Sequence, residues 1–423
     1  MRVLSFLIIL TCASTFAQQN LNQEFEAIES KVIEWRRDFH QHPELSNQEF
    51  KTAEKITAHL KSLGLEVQTG VAKTGVVAVL KGNHPGKVVA LRADIDALPV
   101  TERNDLPFKS EVRTTFLNTE TGVMHACGHD THTAILMGVA EILSKHKEDI
   151  HGTVKFIFQP AEEGPPPGEE GGAKLMIKEG VLENPKVDAI FGLHINSETS
   201  VGTLKYKTGG IMAAVERFVI TVKGKQSHGS QPWSGVDPIL ISAKIIDGLQ
   251  TIISREANLL VEPAVITVGK ITSGTRFNII PETAELIGTV RTLDPDMKAM
   301  IIRRMTEMTQ TLAKAYGGEA SISFQNNTSI TYNDTELVGL MLPTLKSVAG
   351  DENVKIMKAT TGGEDFSYFQ EIVPGFYFFL GGKTPGSTQA FPHHTPDFKI
   401  DESGLLLGVK TLTQMALDYL NQN

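Results

Sequence analysis

The chain has 423 residues, of which 41% are hydrophobic and 21% charged, a balance typical of a globular protein with a sizeable core. This composition argues against a disordered, collagen-like or multi-span membrane chain. The net charge of -9 disfavours a nucleic acid or an anionic membrane as a partner bound through bulk electrostatics. The length predicts two or three domains, and the order of elements favours two.

The first residues have the order of a secretory signal peptide. Met1 and Arg2 precede an apolar run over 3–10, and small residues lead to Ala17, after which we predict cleavage. The run is shorter than the roughly 18 apolar residues of a membrane-spanning helix. We therefore expect an exported protein, periplasmic or secreted, with residues 1–17 as the signal peptide. An N-terminal core helix and a lipoprotein anchored at Cys12 are the less favoured alternatives.

The predicted elements that follow alternate between helix and strand. Helical spacing of apolar residues predicts a helix over 25–39, and Ser46 with Glu49 forms a capping-box pattern that predicts the start of a second helix. Further elements are predicted in this order: strands 75–80 and 88–91, helix 131–145, strand 153–158, helix 173–178 and strand 188–194. This alternation is typical of an α/β sheet that is buried on both faces.

The order of elements changes over residues 214–325. The pattern there predicts one βαββαβ unit, the ferredoxin-like order, with these elements: strand 217–222, helix 238–253, strands 264–270 and 284–291, helix 295–316 and strand 320–324. The α/β pattern then resumes with helix 335–348, strand 376–380 and helix 405–420. We therefore predict a discontinuous α/β domain with a mixed sheet, formed by residues 18–213 and 326–423. A ferredoxin-like domain at 214–325 is inserted in it.

Several common catalytic signatures are missing from the sequence, so residues of the metal-ligand type remain as the candidates for chemistry. The chain has no Gly-x-Ser-x-Gly elbow, no His-Glu-x-x-His helix and no Gly-x-Gly-x-x-Gly loop. Cleavage of the signal peptide would leave Cys127 as the only cysteine, so no internal disulfide can form. Cys127 and His129 precede a predicted helix, and thiolate with imidazole is a combination that Zn²⁺ favours. The alternative is a buried thiol beside Asp130 as a helix cap.

Three further positions follow predicted strands or lie near the C-terminus. Glu162 and Glu163 come after strand 153–158, where one carboxylate can bind a metal ion and the other can act as general base. Taken alone, the pair of glutamates is typical of a solvated loop, His194 of a hydrogen-bonded core histidine, and His394 of an exposed loop histidine. Together, these residues supply about enough ligands for two metal ions that share one ligand, roughly 3.5 to 4 Å apart: Cys127, His129, Glu163, His194 and His394.

From Glu29 to its end, the chain resembles the superfamily of co-catalytic metal aminoacylases and carboxypeptidases. Within it, the chain is similar to the amidohydrolase branch of hippurate hydrolases, indole-acetyl-amino-acid hydrolases and N-acyl-amino-acid amidohydrolases. Besides the segments around Cys127 and Glu163, the matching motifs are RDFHQHPE (37–44), LRADIDALP (91–99), GLH (192–194), FNIIP (277–281), GGEDF (362–366) and HTP (394–396).

The resemblance implies a catalytic α/β domain that holds two divalent metal ions per chain. Cys127 would bridge the two ions, His129 and His194 would complete one site, and Glu163 and His394 would complete the other. The ions would be Zn²⁺ or Mn²⁺, with Co²⁺ or Ni²⁺ as further candidates.

Other residues take supporting roles by the same resemblance. Glu162 would be the general base that takes a proton from a metal-bound water. Arg92 stands where relatives outside this branch carry a histidine ligand, so it is not counted as a ligand. Asp94 would instead orient His129 through a hydrogen bond from the second coordination sphere.

The inserted domain would be a lid that reaches the active site. His228 matches a lid histidine that polarises the scissile carbonyl in related enzymes. Arg276 and Asn278 are the candidates for holding the substrate's carboxylate, and Glu364 belongs to the same group of supporting residues. Since the lid pairs two chains in related enzymes, we also expect a homodimer.

The expected activity is metal-dependent hydrolysis of the amide bond of an N-acyl amino acid, of the aminoacylase or hippurate hydrolase type. A dipeptidase or carboxypeptidase on the same scaffold is the neighbouring alternative. A non-catalytic metal-binding or peptide-binding protein is the alternative from another class, and the retention of Glu162 and of all five ligands disfavours it. The expected partner is a small N-acyl amino acid or dipeptide, with no nucleic acid and no membrane span.

Overall fold

The computed structural model describes the backbone of residues 3–422 and the side chains of residues 21–325 and 328–422. The side chains of the predicted signal peptide, residues 1–17, lie outside the described part, and cleavage after Ala17 stays a prediction. Within the described part of the chain, none of the helices combines the length and the apolar character that a membrane crossing requires.

The described residues form nine α-helices, which include every helix predicted above. They are α1 (Val3–Gln41), α2 (Phe50–Ser62), α3 (His129–Lys145), α4 (Gly172–Lys178), α5 (Pro238–Thr251), α6 (Pro295–Ala315), α7 (Thr335–Ala349), α8 (Ser367–Gln370) and α9 (Leu405–Leu420).

The strands include all those predicted and several short ones that the apolar pattern does not reveal. They are β1 (Glu66–Val71), β2 (Gly75–Lys81), β3 (His84–Asp94), β4 (Arg113–Phe116), β5 (Thr119–Gly122), β6 (His151–Gln159), β7 (Ala189–Ser200), β8 (Leu204–Tyr206), β9 (Gly209–Met212), β10 (Ala214–Lys223), β11 (Ser227–His228), β12 (Ala264–Ser273), β13 (Ile279–Ile280), β14 (Thr283–Thr292), β15 (Glu319–Thr328), β16 (Thr331–Asn333), β17 (Val354–Ile356) and β18 (Gly375–Lys383).

The chain divides into two compact units. The first runs up to Tyr206 and continues through Asn333–Met357 and from Phe369 onward, and the second consists of Lys207–Tyr332 and Lys358–Tyr368. The second unit therefore starts a few residues before position 214, where we predicted the inserted domain to begin. It also includes residues 358–368, which the sequence analysis placed in the α/β domain.

The first unit contains an eight-stranded mixed sheet in the order β1-β2-β6-β3-β7-β18-β8-β17. Strand β3 lies parallel to both β6 and β7, and β7 lies parallel to β18. Strand β2 pairs antiparallel with β1 on one side and with β6 on the other. Asp94 at the end of β3 is in register with Gln159 at the end of β6. The predicted α/β fold with a mixed sheet is thus confirmed, and the polar carboxyl ends of these strands lie together.

Helix α3 is buried from His129 to Leu143 and packs against α1 and α9. It begins after Gly128, whose φ of 90° lies in the left-handed region that favours glycine. A Cβ at this position would come within 2.3 Å of the Ile195 side chain. Asp130 in the first turn forms an ion pair with the buried Arg36, 2.8 Å between Oδ2 and Nε. The start of α3 is therefore held firmly in the core.

The predicted capping box at the start of α2 is wrong. The helix begins at Phe50 after Glu49, and no side-chain capping bond is formed there by Glu49. Ser46 donates its hydroxyl to Asp96 instead, at 2.7 Å, and a nearby Glu44 accepts the backbone N–H of Thr52 at 2.8 Å. The local pattern fails because tertiary partners compete for both of its side chains.

The second unit has the predicted βαββαβ order. Its four-stranded antiparallel sheet follows the order β12-β14-β10-β15, and α5 and α6 pack on this sheet. Asp237 and Asp294 cap these two helices by accepting backbone N–H groups of the first turn, and each is followed by a proline at the first helical position.

Candidate metal centre

Two groups of potential metal ligands in the first unit share the thiol of Cys127. One group is Cys127 with His129 and His194, and the other is Cys127 with Glu163 and His394. Within each group the ligand atoms lie within 4.8 Å of one another. The Cys127 Sγ atom is 3.4 Å from His194 Nε2 and 3.2 Å from His394 Nε2. The structure thus brings together the five residues that the sequence analysis selected, with the thiol between the two groups.

Hydrogen bonds orient two of the imidazoles with Nε2 toward the cluster. His129 Nδ1 donates to the backbone oxygen of Asp96 at 2.9 Å and lies 3.2 Å from its Oδ1 atom. His194 Nδ1 donates to the backbone oxygen of Ile195 at 2.6 Å. Because these partners are acceptors, each Nδ1 carries a proton, and the neutral form of each imidazole presents its lone pair at Nε2. His129 Nε2 is buried and forms no hydrogen bond.

His129 donates its orienting hydrogen bond to Asp96, which corrects our expectation that Asp94 is the partner. Asp94 Oδ1 is 3.9 Å from His129 Nδ1. The Asp94 side chain instead accepts His132 Nδ1 at 2.5 Å and Arg92 Nη1 at 2.6 Å. Asp94 therefore acts one layer farther from the cluster, and Arg92 is engaged as its counter-ion.

Glu162 and Glu163 follow β6 on a tight turn. Ala161 has φ 52°, a left-handed conformation that turns the chain directly before the two carboxylates. A Glu162 oxygen lies 3.8 Å from His129 Nε2, and Glu163 Oε1 lies 3.1 Å from His394 Nε2. Both glutamate side chains are only 10–12% exposed, so they face the cluster while remaining in reach of water.

The electrostatics of the cluster favour a cation. Burial, followed by the charges of Glu163 and Glu162, raises the pKa of the Cys127 thiol well above its usual value. For His129, burial opposes the charged form, yet the carboxylates of Asp94 and Asp96 outweigh it and raise the pKa to about 10. Carboxylates thus oppose ionisation of the thiol and favour a positive charge on the imidazole. A thiolate at this position requires a positive charge beside it.

These observations fit a pair of divalent ions. The donor set combines thiolate, imidazole and carboxylate, which are ligands of Zn²⁺ and of neighbouring late transition metals. His129 Nε2 is aimed into the cluster without a hydrogen-bond partner, as a ligating nitrogen would be. Hydrogen bonds to the opposite nitrogens of His129 and His194 provide the outer support that such ligands have in metal sites.

Four further residues from the sequence analysis lie in the second unit: His228, Arg276, Asn278 and Glu364. His228 is exposed, and its Nδ1 atom accepts the hydroxyl of Ser230 at 2.7 Å. Arg276 is exposed, Asn278 is half-buried, and Glu364 is buried with its Oε1 atom accepting the N–H of Phe366 at 2.9 Å. The roles assigned to these four residues stay predictions.

The sequence analysis missed residues that surround the cluster. His132 accepts the backbone N–H of Ile195 at 2.8 Å while its other nitrogen donates to Asp94, so it links β3 to β7. Its spacing of three residues from His129 on one helix would have indicated a shared face. His393 Nδ1 lies 3.2 Å from the backbone oxygen of Cys127, and burial lowers its pKa to about 3. Nothing in the sequence distinguishes Asp96 from Asp94 as the hydrogen-bond partner of His129.

Comparison with known proteins gives matches over nearly the whole chain. Residues 90–418 match Peptidase family M20/M25/M40. The chain is 40% identical over 406 residues to thermostable carboxypeptidase 2 of Saccharolobus solfataricus, covering 96% of this chain and 99% of the relative. It is 36% identical over 411 residues to an N-acetyl-L-cysteine deacetylase of Bacillus subtilis, covering 97% and 93%.

A solved structure adds a metal-binding neighbour. A Bacillus subtilis protein described as a dinuclear metal binding peptidase from the M20 family superposes with a TM-score of 0.78 at 36% identity. The alignment covers 94% of this chain and 100% of that one.

Proposed function

We propose, from the premise that the chain belongs to peptidase family M20/M25/M40 and is a metal-dependent amidohydrolase, that its reaction is hydrolysis of the amide bond of N-acyl amino acids. The observation that carries the proposal is the pair of ligand groups that share Cys127, with the Glu162 carboxylate beside them. The similarity to a deacetylase of an N-acetyl amino acid supports this choice of substrate class.

The two divalent ions, Zn²⁺ or Mn²⁺ with Co²⁺ or Ni²⁺ as further candidates, would be held by five residues. Cys127 would serve both ions, His129 and His194 would complete one site, and Glu163 and His394 would complete the other. When bound, such ions supply Lewis acidity that lowers the pKa of a water molecule and polarises a carbonyl.

Glu162 would carry the proton transfers. Its carboxylate is part of the cluster but belongs to neither of the two groups that share Cys127. Glu162 accepts a proton as water attacks the scissile carbonyl and returns it to the leaving nitrogen. Asp94 and Asp96 hold the surrounding imidazoles in place through the hydrogen bonds described above.

The roles proposed for the second unit depend on the resemblance in sequence. His228 would stabilise the developing oxyanion as a hydrogen-bond donor. Arg276 and Asn278 would hold the carboxylate of the substrate, because a guanidinium and an amide suit that group. Glu364 would support the site from its buried position.

A carboxypeptidase or dipeptidase is the second candidate, favoured by the 40% identity to a thermostable carboxypeptidase. A substrate panel separates the two candidates. Its N-acyl amino acids are hippurate, N-acetyl-L-cysteine, N-acetyl-L-methionine and indole-acetyl-aspartate, and its peptides are unblocked dipeptides and benzyloxycarbonyl-blocked peptides. Each substrate is assayed with Zn²⁺, Mn²⁺ or Co²⁺ added. We expect a higher kcat/KM on N-acyl amino acids, with Glu162→Gln as the blank for contaminating hydrolases. Preference for peptides would establish the second candidate, and absence of turnover on the whole panel would contradict both.

We also propose that the chain is exported and forms a homodimer through its second unit. Strand β12 lies at an edge of its sheet and exposes Val265 and Ile271, which supports pairing at this face. Intact mass of the exported protein should correspond to a chain that begins at Gln18. Light scattering after size exclusion should give twice the chain mass, and a monomer at all concentrations would contradict the dimer.

A further inference from the structure

Glu49 is a fully buried carboxyl group with two partners. Its Oε1 atom accepts the backbone N–H of Ala161 at 2.9 Å, and its Oε2 atom accepts the hydroxyl of Thr74 at 2.5 Å. Glu49 is 0% exposed, and burying a polar group is costly unless such bonds are made. Burial, followed by the charge of Asp96, raises the pKa of Glu49 to about 8. These bonds tie the start of α2 to the turn after β6.

The residue that Glu49 holds has an unusual backbone conformation. Ala161 has φ 52°, in the left-handed region where a residue with a side chain is strained. Such a conformation persists only if the surroundings enforce it. Ala161 is 1% exposed and directly precedes Glu162 in the chain. The bond from its N–H group to Glu49 is therefore placed where it can enforce this turn.

A second buried carboxylate holds the other side of the same turn. Asp96 Oδ2 accepts the backbone N–H of Glu163 at 3.1 Å. The backbone N–H groups of Ala161 and Glu163, one on each side of Glu162, are thus both bound to carboxyl groups from other segments. The Glu162 side chain lies toward the cluster, with its Oε2 atom 3.8 Å from His129 Nε2.

We propose that Glu49 is a positioning residue for Glu162, and that it acts by holding the left-handed turn at Ala161. The inference rests on the proposed role of Glu162 as general base. Loss of the bond would let the turn relax and move the Glu162 carboxylate, and a displacement of about 1 Å at a reacting group can cost roughly 10²-fold in rate. The metal ligands lie on other segments, apart from Glu163, whose N–H group stays bound to Asp96.

The test compares three substitutions of Glu49 with a matched control. Glu49→Leu removes the acceptor, Glu49→Asp shortens its reach by one methylene, and Glu49→Gln keeps an oxygen for the N–H of Ala161 and a donor for Thr74. Glu44→Leu is the control, because Glu44 also accepts a backbone N–H in this segment, that of Thr52, away from the Glu162 turn.

For each variant, kcat per metal-loaded chain, KM, metal content and Tm are measured on the best N-acyl amino acid of the panel. We expect Glu49→Leu to lower kcat about 10- to 100-fold, with KM and metal content nearly unchanged. Glu49→Asp should lower kcat by an intermediate factor, and Glu49→Gln should stay within about threefold of the wild type. Glu44→Leu should lower Tm but keep kcat per metal-loaded chain.

Wild-type kcat in Glu49→Leu would overturn the proposal, and so would an equal loss of kcat in the Glu44→Leu control. If Glu49→Leu fails to fold, the other two variants decide. A wild-type kcat in Glu49→Asp overturns the proposal, and so does a kcat in Glu49→Gln that is as low as that of Glu49→Asp. Glu162→Gln is assayed in parallel, since full activity in that variant would contradict the proposed function itself rather than the role of Glu49.

Discussion

Replacement of Asp96 by asparagine should weaken metal binding, because the side chain accepts hydrogen bonds at both oxygens. Oδ1 faces the Nδ1–H group of His129, and Oδ2 faces the N–H group of Glu163 and the hydroxyl of Ser46. Asparagine has only one acceptor oxygen. Whichever way the amide is turned, its NH₂ group meets either the N–H of His129 or the N–H of Glu163.

The size of the effect follows from these contacts. His129 Nδ1–H keeps the backbone oxygen of Asp96 as an acceptor at 2.9 Å, but in either orientation of the amide one buried donor, His129 Nδ1–H or Glu163 N–H, loses its side-chain acceptor and faces an NH₂ group. The loss of an acceptor by a buried donor costs about 1 to 3 kcal/mol. Loss of an outer hydrogen bond to a ligating histidine typically costs 10- to 100-fold in metal affinity, which is about 1.4 to 2.7 kcal/mol. The two ranges agree, so we expect Asp96→Asn to raise the Kd for metal about 10- to 100-fold. The loss of a negative charge near the cluster acts in the same direction.

The assay is titration of metal-free protein with Zn²⁺ in competition with a chromophoric chelator at neutral pH. Ser46→Ala is the matched control, since it removes one hydroxyl from Asp96 but leaves the bonds to His129 and Glu163. We expect the control to stay within about threefold of the wild type. Wild-type affinity in Asp96→Asn, or an equal loss in Ser46→Ala, would refute the reasoning.

Three further predictions concern catalysis and stability. Glu162→Gln should keep its metal while kcat falls about 10²- to 10⁴-fold, whereas Glu163→Gln should lose metal by elemental analysis; reversed metal occupancies would mean that the two roles are exchanged. His228→Ala should leave metal content unchanged and lower kcat more than it raises KM, because an oxyanion donor acts chiefly in the transition state; unaltered kinetics would make it a surface histidine. Asp130→Asn should lower the free energy of unfolding by about 1 to 3 kcal/mol, since it removes the buried carboxylate 2.8 Å from Arg36 Nε while Glu402 stays 3.2 Å from Nη1; a Tm equal to that of the wild type would contradict this.

The candidate ligand residues could be selected from the sequence because backbone topology brings them together. Glu163 and His194 follow or end apolar runs of strand length, and parallel strands deliver such positions to the same edge of a sheet. Cys127 and His129 flank a glycine that starts a buried helix, and its left-handed φ of 90° is a conformation that glycine adopts readily. No side-chain detail was needed for these inferences.

The supporting contacts could not be derived in this way. Asp94 and Asp96 are two residues apart and chemically identical, so only the structure shows which carboxylate faces His129. Ser46 and Glu49 match a helix-capping pattern, but their side chains bind Asp96 and Ala161, which are far away in the sequence. Tertiary hydrogen bonds of this kind leave no local periodicity to read.

Metal content of the wild type and of Cys127→Ser tests the central claim most directly, because the account places one thiol between two ions. Plasma mass spectrometry on protein purified without chelator should find up to two divalent ions per wild-type chain. The variant should lose both ions together, and chelator should abolish wild-type activity. Loss of only one ion in Cys127→Ser would contradict a shared ligand, and a metal-free wild type with activity untouched by chelator would contradict the metal centre altogether.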